Sequence, residues 1–305
     1  MRSFHKNLIL FSVLLFAILV VVEVLLSRNL QSHVSLKYDE IYNPKVKADI
    51  VILGNSHAGL GVNPRVMKED SDSIYNFAFG GCNSLYYRIW YEYVFKENYP
   101  KPEYVIYAVD WLMFDSTLAN RSFDVDIRFM PVDVLVKVLL KEEHVGKKNL
   151  VFNRFNLIAK QRKLQHIFYQ EEKFNPVEFY HGYVPLEPKR LHGMVKSPKE
   201  SPMSKIGMRE FDRLLDDLEK DGIQIIFVNI PEYIPAWNTN DIEARFYYLD
   251  SVAASRSIPY LKYNHELKTD FNEDTTNFRD WIHLTEKGAN VFSERLSKDL
   301  ESIIE

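Results

Sequence analysis

Residues 49–60 read DIVILGNSHAGL. A continuous apolar run, Ile50 to Leu53, stops at Gly54. An unbroken run of β-branched and aliphatic residues fits a strand covered on both faces, the environment of a parallel sheet. Ser56 follows between Asn55 and His57. A serine just past such a strand is either the cap of the next helix or a nucleophile held at the strand tip.

Working outward, the same alternation recurs. SIYNFAF (73–79) reads as a second strand ending at Gly80 and Gly81. SLYYRIWYEYVFKEN (84–98) has helical periodicity and stops at Pro100. EYVIYAVD (103–110) is a third strand. SKIGMREFDRLLDDLEKDG (204–222) spaces Leu and Phe as a helix does and closes on Gly222, a natural helix stop. IQIIFVNIP (223–231) and IPYLKY (258–263) are the fourth and fifth strands, separated by a helical segment, 241–257. A helix is predicted over 60–70, with Pro64 near its start, and a last one from Thr285 onward. Strands alternating with helices give an α/β fold with a parallel sheet of about five strands. The stretch 115–203 breaks the rhythm and reads as a mostly helical insertion. Lying after strand three, it would cover the carboxyl edge of the sheet, where ligands bind in open α/β folds.

Leu8 to Leu26 is a run of 19 residues with one charge, Glu23. It is nearly long enough for a hydrocarbon core of about 30 Å. The run is apolar all round, unlike a core helix with one buried face. Arg2 and Lys6 precede it, which favours a cytoplasmic start. A cleaved signal peptide is the competing reading, but LLSRNLQSH (25–33) offers no small-x-small cleavage site. The organisation expected is a cytoplasmic tail over 1–7, a single-pass anchor over 8–26, a polar stalk over 27–47 and an extracytoplasmic domain over 48–305.

Composition narrows the function classes. The net charge is −4, from 38 basic and 42 acidic residues, and no basic stripe interleaved with aromatics is present, so nucleic acid is not an expected partner. A lone cysteine, Cys82, has no partner for an internal disulfide and reads as a small buried residue. GNSHAGLG lacks the Lys-Ser/Thr of a phosphate-binding loop. The scattered histidines show no ligand spacing, so neither metal nor cofactor is expected.

The candidate chemistry lies at strand ends and before the last helix. Asp280 and His283, in FRDWIHLTEKG, are spaced i, i+3, which on a helical turn would put them on one face. A carboxylate there can hold an imidazole in one tautomer, and the free ring nitrogen can take a proton from a serine hydroxyl. His57 adjoins Ser56, and adjacent side chains point apart, so its expected place is behind the site.

VILGNSHAGLGV (51–62) resembles block I of the SGNH/GDSL hydrolase superfamily, in a variant where G-D-S is G-N-S. YNFAFGGCNS (75–84) resembles block II, and RDWIHLTEKGANVFSERL (279–296) resembles block V with its D-x-x-H. The resemblance implies a three-layer, flavodoxin-like domain in which Ser56 is the nucleophile, His283 the base and Asp280 its orienter. It also implies an oxyanion hole built from the Ser56 and Gly81 N–H groups. Block III departs: the family carries G-x-N-D after strand three, whereas this strand ends YAVDWLMF, with Asp110 near that place and no Asn. Either Asp110 is protonated, or it has another role, or a donor comes from elsewhere, with Asn83 a candidate.

The anchor and motifs together resemble the membrane-anchored branch that acylates cell-envelope polymers, including teichoic acid D-alanylation and exopolysaccharide O-acetylation proteins. The function this implies is a serine esterase or O-acyltransferase acting on acyl (acetyl) esters of an envelope or extracellular glycan. The alternative is an inactive SGNH-like domain that binds glycan or partners a membrane acyltransferase.

Overall fold

The computed structural model describes residues 2–28, 37, 41–42, 47–67, 73–78, 80–114, 130–143, 145, 147, 151, 180–186, 203–233, 239–266 and 270–304. The chain forms two compact units, one of residues 1–39 and 123–175, the other of 40–122 and 176–305.

In the first unit, α1 is Arg2–Arg28. Its stretch Phe4–Leu25, 22 residues, is long and apolar enough to cross a membrane. Five residues of that helix's interior, from Leu8 to Phe16, illustrate why: Leu8, Ile9, Leu10, Phe11 and Phe16 are all exposed. A helix with apolar side chains facing outward on every side has no folded core of its own to bury them in. The same unit holds a helix at Val132–Lys141, with Val134, Leu135 and Val138 buried. Most of the expected insertion (115–129, 152–179 and 187–202) lies outside the described residues.

The second unit is built on a five-stranded sheet. Its strands are β1 (Ile50–Leu53), β2 (Ile74–Asn76), β3 (Tyr104–Ala108), β4 (Gln224–Asn229) and β5 (Tyr260–Lys262). The order is β2-β1-β3-β4-β5 and every pairing is parallel. The chain therefore leaves β1 toward one edge and β3 toward the other, which opens a crevice at the carboxyl ends of β1 and β3.

Register explains the continuous apolar strands. Ile52 pairs with Ile106 and Ile106 with Ile226, so these three line one face. Leu53, Tyr107 and Phe227 form the next row and line the other. The first face packs on the closing helix, Glu286–Leu300, through Phe292, Leu296 and Leu300. The second is covered by the helix that starts at Ser84 and by Lys205–Lys220, with Tyr107 and Phe227 both against Phe211. Because each face has its own helical layer, the inner strands are buried whichever way their side chains point, and alternation disappears from the sequence.

The helix expected over 60–70 begins and ends earlier: it is Ser56–Gly61, and Pro64–Val66 is a separate 3-10 turn capped by Asn63. Residues 68–70 of that expected helix lie outside the described residues. Gly59 and Gly61 weaken a helix at this point, yet a Cβ on Gly61 would come within 3.2 Å of the Ile230 side chain, so packing keeps it bare. The helix at 84–98 contains a π segment at Tyr91–Phe95, which periodicity did not reveal. The stretch read as a stalk is not wholly free of the domain: Ile41 is buried, and the Tyr99 hydroxyl donates to its carbonyl.

Candidate active site

Gly54 ends β1 with φ +151, and a Cβ there would lie 2.8 Å from the Ala108 Cβ and 3.0 Å from the Ala58 Cβ. Only glycine lets the chain turn this tightly beside β3. The Tyr87 hydroxyl closes on the Gly54 carbonyl and lies 3.2 Å from that of Phe77, tying the ends of β1 and β2 together. The next residue, Asn55, is the cap of the Ser56–Gly61 helix: its Oδ1 accepts the His57 N–H at 2.9 Å. Ser56 is therefore the first residue of the helix and not its cap, and its hydroxyl is left for other work.

That hydroxyl meets His283. The His283 Nε2 lies 2.9 Å from Ser56 Oγ, across 227 positions of sequence. On the other side of the ring, Nδ1 lies 2.8 Å from Asp280 Oδ2 and 3.0 Å from Oδ1. A carboxylate only accepts, so Nδ1 carries the ring proton and Nε2 is free to accept from the serine. Ser56, His283 and Asp280 thus form one unbroken hydrogen-bonded series, half-buried at the carboxyl edge of the sheet.

Asp280 and His283 do not lie on a helical turn, contrary to the i, i+3 expectation. They occupy a bend closed by the bridge between Phe278 and Leu284 and by the Arg279 N–H on the His283 carbonyl at 2.8 Å. Asp280 Oδ1 also accepts the N–H groups of Ile282 and His283 at 3.0 and 2.9 Å, the side-chain turn typical of aspartate. Burial alone would raise the Asp280 carboxyl. The hydrogen bond and charge of His283, with the two N–H groups, outweigh burial and hold it below the ordinary carboxylate value. The bend is anchored by the closing helix: a Cβ on Gly288 would come 2.1 Å from the Asn277 carbonyl oxygen, so the glycine of the motif lets the first turn of that helix lie against Asn277.

Gly80 and Gly81 reach the same edge. Gly80 is exposed, and a Cβ on it would sit 3.9 Å from the Ser56 Cβ, so it borders the serine directly. Gly81 follows with φ +76. Asn83 is buried and its Oδ1 caps the helix beginning at Ser84 by accepting the Tyr86 N–H at 3.1 Å. Asp110 is also buried. Its Oδ1 accepts the Met113 N–H at 3.1 Å and its Oδ2 accepts from Asn55 Nδ2, so both carboxylate oxygens are engaged within the protein.

Behind the serine lies a group the sequence only partly disclosed. His57 is 1% exposed, with its Nδ1 3.3 Å from Asp110 Oδ2 and 3.6 Å from Glu232 Oε1. Its ring meets that of His283 edge-on, centroids 5.7 Å apart. Glu232, fully buried after β4, was missed; the signal was an acid directly following an apolar strand, at the edge shared by Ser56 and Asp110. Among the described residues, no three His, Cys, Asp or Glu side chains are grouped as a metal site.

Burial first, then the nearby His283, pushes His57 down from 6.5 to about 3, although Asp280 acts in the opposite direction. A neutral buried imidazole has a consequence for stability. The unfolded chain takes up this proton below pH 6.5 while the folded one does not until about 3. Stability is therefore full above pH 6.5 and falls through that window, by at most about 1.4 kcal/mol per pH unit. Melting curves at pH 7.5 and pH 5 should show a loss for the wild type that is smaller in His57→Gln; equal losses would refute this origin.

Neither protein-family models nor the sequences of curated proteins match this chain. Solved structures similar in outline include two from Bacteroides species. One, from Bacteroides fragilis and provisionally named an acylhydrolase, is 11% identical with a TM-score of 0.44, over 91% of this chain and 98% of its own. The other, a GDSL-like lipase from Bacteroides thetaiotaomicron, is 9% identical with a TM-score of 0.43, over 84% and 88%. Likenesses this distant bear on neither activity nor substrate.

Proposed function

We propose that this chain is a serine ester hydrolase or O-acyltransferase of the SGNH/GDSL type, working through Ser56, His283 and Asp280. One observation carries the reading: the hydroxyl, the imidazole and the carboxylate stand in a single hydrogen-bonded series, with Ser56 Oγ to His283 Nε2 at 2.9 Å. Serine is a weak nucleophile until a positioned base takes its proton. In the reaction, Ser56 Oγ attacks the ester carbonyl while His283 Nε2 accepts the hydroxyl proton and Asp280 stabilises the imidazolium. The tetrahedral intermediate places its negative oxygen toward the backbone N–H groups of Ser56 and Gly81. Collapse breaks the acyl–oxygen bond, and His283 returns the proton to the departing alcohol. Water or a sugar hydroxyl then gives its proton to His283, attacks the acyl-enzyme and releases Ser56.

The substrate class is an acyl, foremost acetyl, ester of a cell-envelope or extracellular glycan. The protein sits in the cell membrane, anchored through α1, with its amino terminus in the cytoplasm and the α/β domain outside, beside a membrane acyltransferase as a further partner. The length and apolarity of Phe4–Leu25, with the motif resemblance, support this assignment.

A second reading is a glycan-binding or partner-binding domain with little turnover. It is favoured by position 110, where a buried acid with both oxygens occupied supplies no oxyanion donor. The two are separated by treating the full-length protein in detergent with a fluorophosphonate probe, then with an acetyl ester in the presence and absence of sugar acceptors. Covalent labelling followed by acetate release or acetyl transfer is the expected result. A wild type that does not label overturns the enzyme reading.

A further inference from the structure

We propose that Asn55 and Asp110 are a positioning pair that aims Ser56, a role that rests on the serine-enzyme reading above. Neither touches the reacting atoms. Asn55 is 5% exposed and Asp110 3%. The Asn55 amide is used at both ends: Oδ1 accepts the His57 N–H at 2.9 Å, and Nδ2 donates to Asp110 Oδ2. Asp110 is in turn fixed at the end of β3 by the Met113 N–H on its Oδ1 at 3.1 Å.

The arrangement leaves the amide one orientation. Flipped, it would point Nδ2 at an N–H donor and its oxygen at a carboxylate, and both contacts would be repulsive. The carboxylate at 110 therefore selects the flip that caps the Ser56–Gly61 helix. The N–H being capped belongs to the peptide unit that joins Ser56 to His57. Holding that unit fixes the backbone from which Ser56 Oγ reaches His283. In this light Asp110 is no stand-in for an oxyanion donor. It is the acceptor that an asparagine at position 55 requires.

The partners are also chemically exchangeable. In a protein carrying both Asn55→Asp and Asp110→Asn, the carboxylate at 55 accepts the His57 N–H and the amide at 110 donates back to it. The amide oxygen at 110 accepts the Met113 N–H as before. His57 is uncharged in this site, and a neutral imidazole tolerates either polarity opposite Nδ1, because it is donor or acceptor there according to tautomer. Each single substitution, in contrast, buries two carboxylates or two amides against each other.

The test measures fluorophosphonate labelling rate and melting temperature of full-length protein in detergent. Asn55→Asp and Asp110→Asn should each slow labelling by about 10- to 100-fold. The exchanged double variant should return to within about threefold of wild type, a coupling that independent sites do not show. Asn55→Ser keeps a capping oxygen but cannot span to Asp110, and it should also label slowly, with a lower melting temperature because it strips the buried Asp110 carboxylate of its amide donor. The proposal is overturned if Asp110→Asn labels at the wild-type rate, or if Asn55→Ser does. It is overturned equally if the double variant melts normally yet labels no faster than the slower single. A wild type that fails to label defeats the serine-enzyme reading itself, whereas labelling that ignores positions 55 and 110 defeats this inference alone.

Discussion

Replacing Ser56 or His283 by alanine should lower the rate of acylation by about 10⁴-fold or more, with the double variant no slower than the worse single. The reason is that the two groups act as one unit: a hydroxyl without its base and a base without its hydroxyl are equally idle. The fold should be nearly indifferent to the serine change. Asn55, and not Ser56, caps the helix, and Ser56 Oγ has its hydrogen bond to His283 within the site. Melting temperatures of wild type and Ser56→Ala should therefore coincide within experimental scatter while labelling disappears. Asp280→Asn is the informative intermediate. An amide oxygen still accepts the N–H groups of Ile282 and His283 and keeps the bend, but the amide no longer selects the Nδ1–H tautomer. A comparable loss, of about 10⁴-fold, is expected from the ring proton alone. Retained labelling in any of the three alanine or asparagine variants would remove the triad from the mechanism.

Gly54→Ala should strongly destabilise the domain. The added Cβ would meet Ala108 Cβ at 2.8 Å, Ala58 Cβ at 3.0 Å and the Ala108 carbonyl oxygen at 3.1 Å, at a φ of +151. None of these neighbours is the end of a flexible side chain; all belong to β3 or to the helix that carries Ser56. Overpacking costs about 1–3 kcal/mol and an unfavourable backbone conformation a similar amount, so a loss of about 4 kcal/mol is expected. Denaturant unfolding of the two proteins measures it directly. Labelling should fall as well, because the strand end that moves is the one that sets Ser56 against His283. A variant as stable as wild type would mean that the turn at Gly54 relaxes without resistance.

The fold was largely legible in the sequence because a parallel sheet buried on both faces writes itself as uninterrupted apolar runs. Ile50–Leu53, Tyr104–Ala108 and Gln224–Asn229 announce themselves this way, and the helices between them follow from spacing and stops. The helix after β1 was placed too late because Pro64 resembles a helix start, whereas the true start is decided by the Asn55 side chain reaching the His57 N–H. That choice depends on what holds the amide, and the holder is Asp110, 55 positions away.

The residue types for serine chemistry were likewise readable: Ser56 at a strand end, and Asp280 with His283 before the last helix. What they do together was not. Local residue pattern sets the strands, the apolar amino-terminal helix and the short-range pairing of a carboxylate with an imidazole. Only the tertiary structure decided that His283 reaches Ser56, that Glu232 and His57 lie buried behind it, and that Asp110 faces inward. Those facts depend on strand order, which brings the ends of β1, β3 and β4 side by side, and no local pattern of residues encodes which strand ends become neighbours.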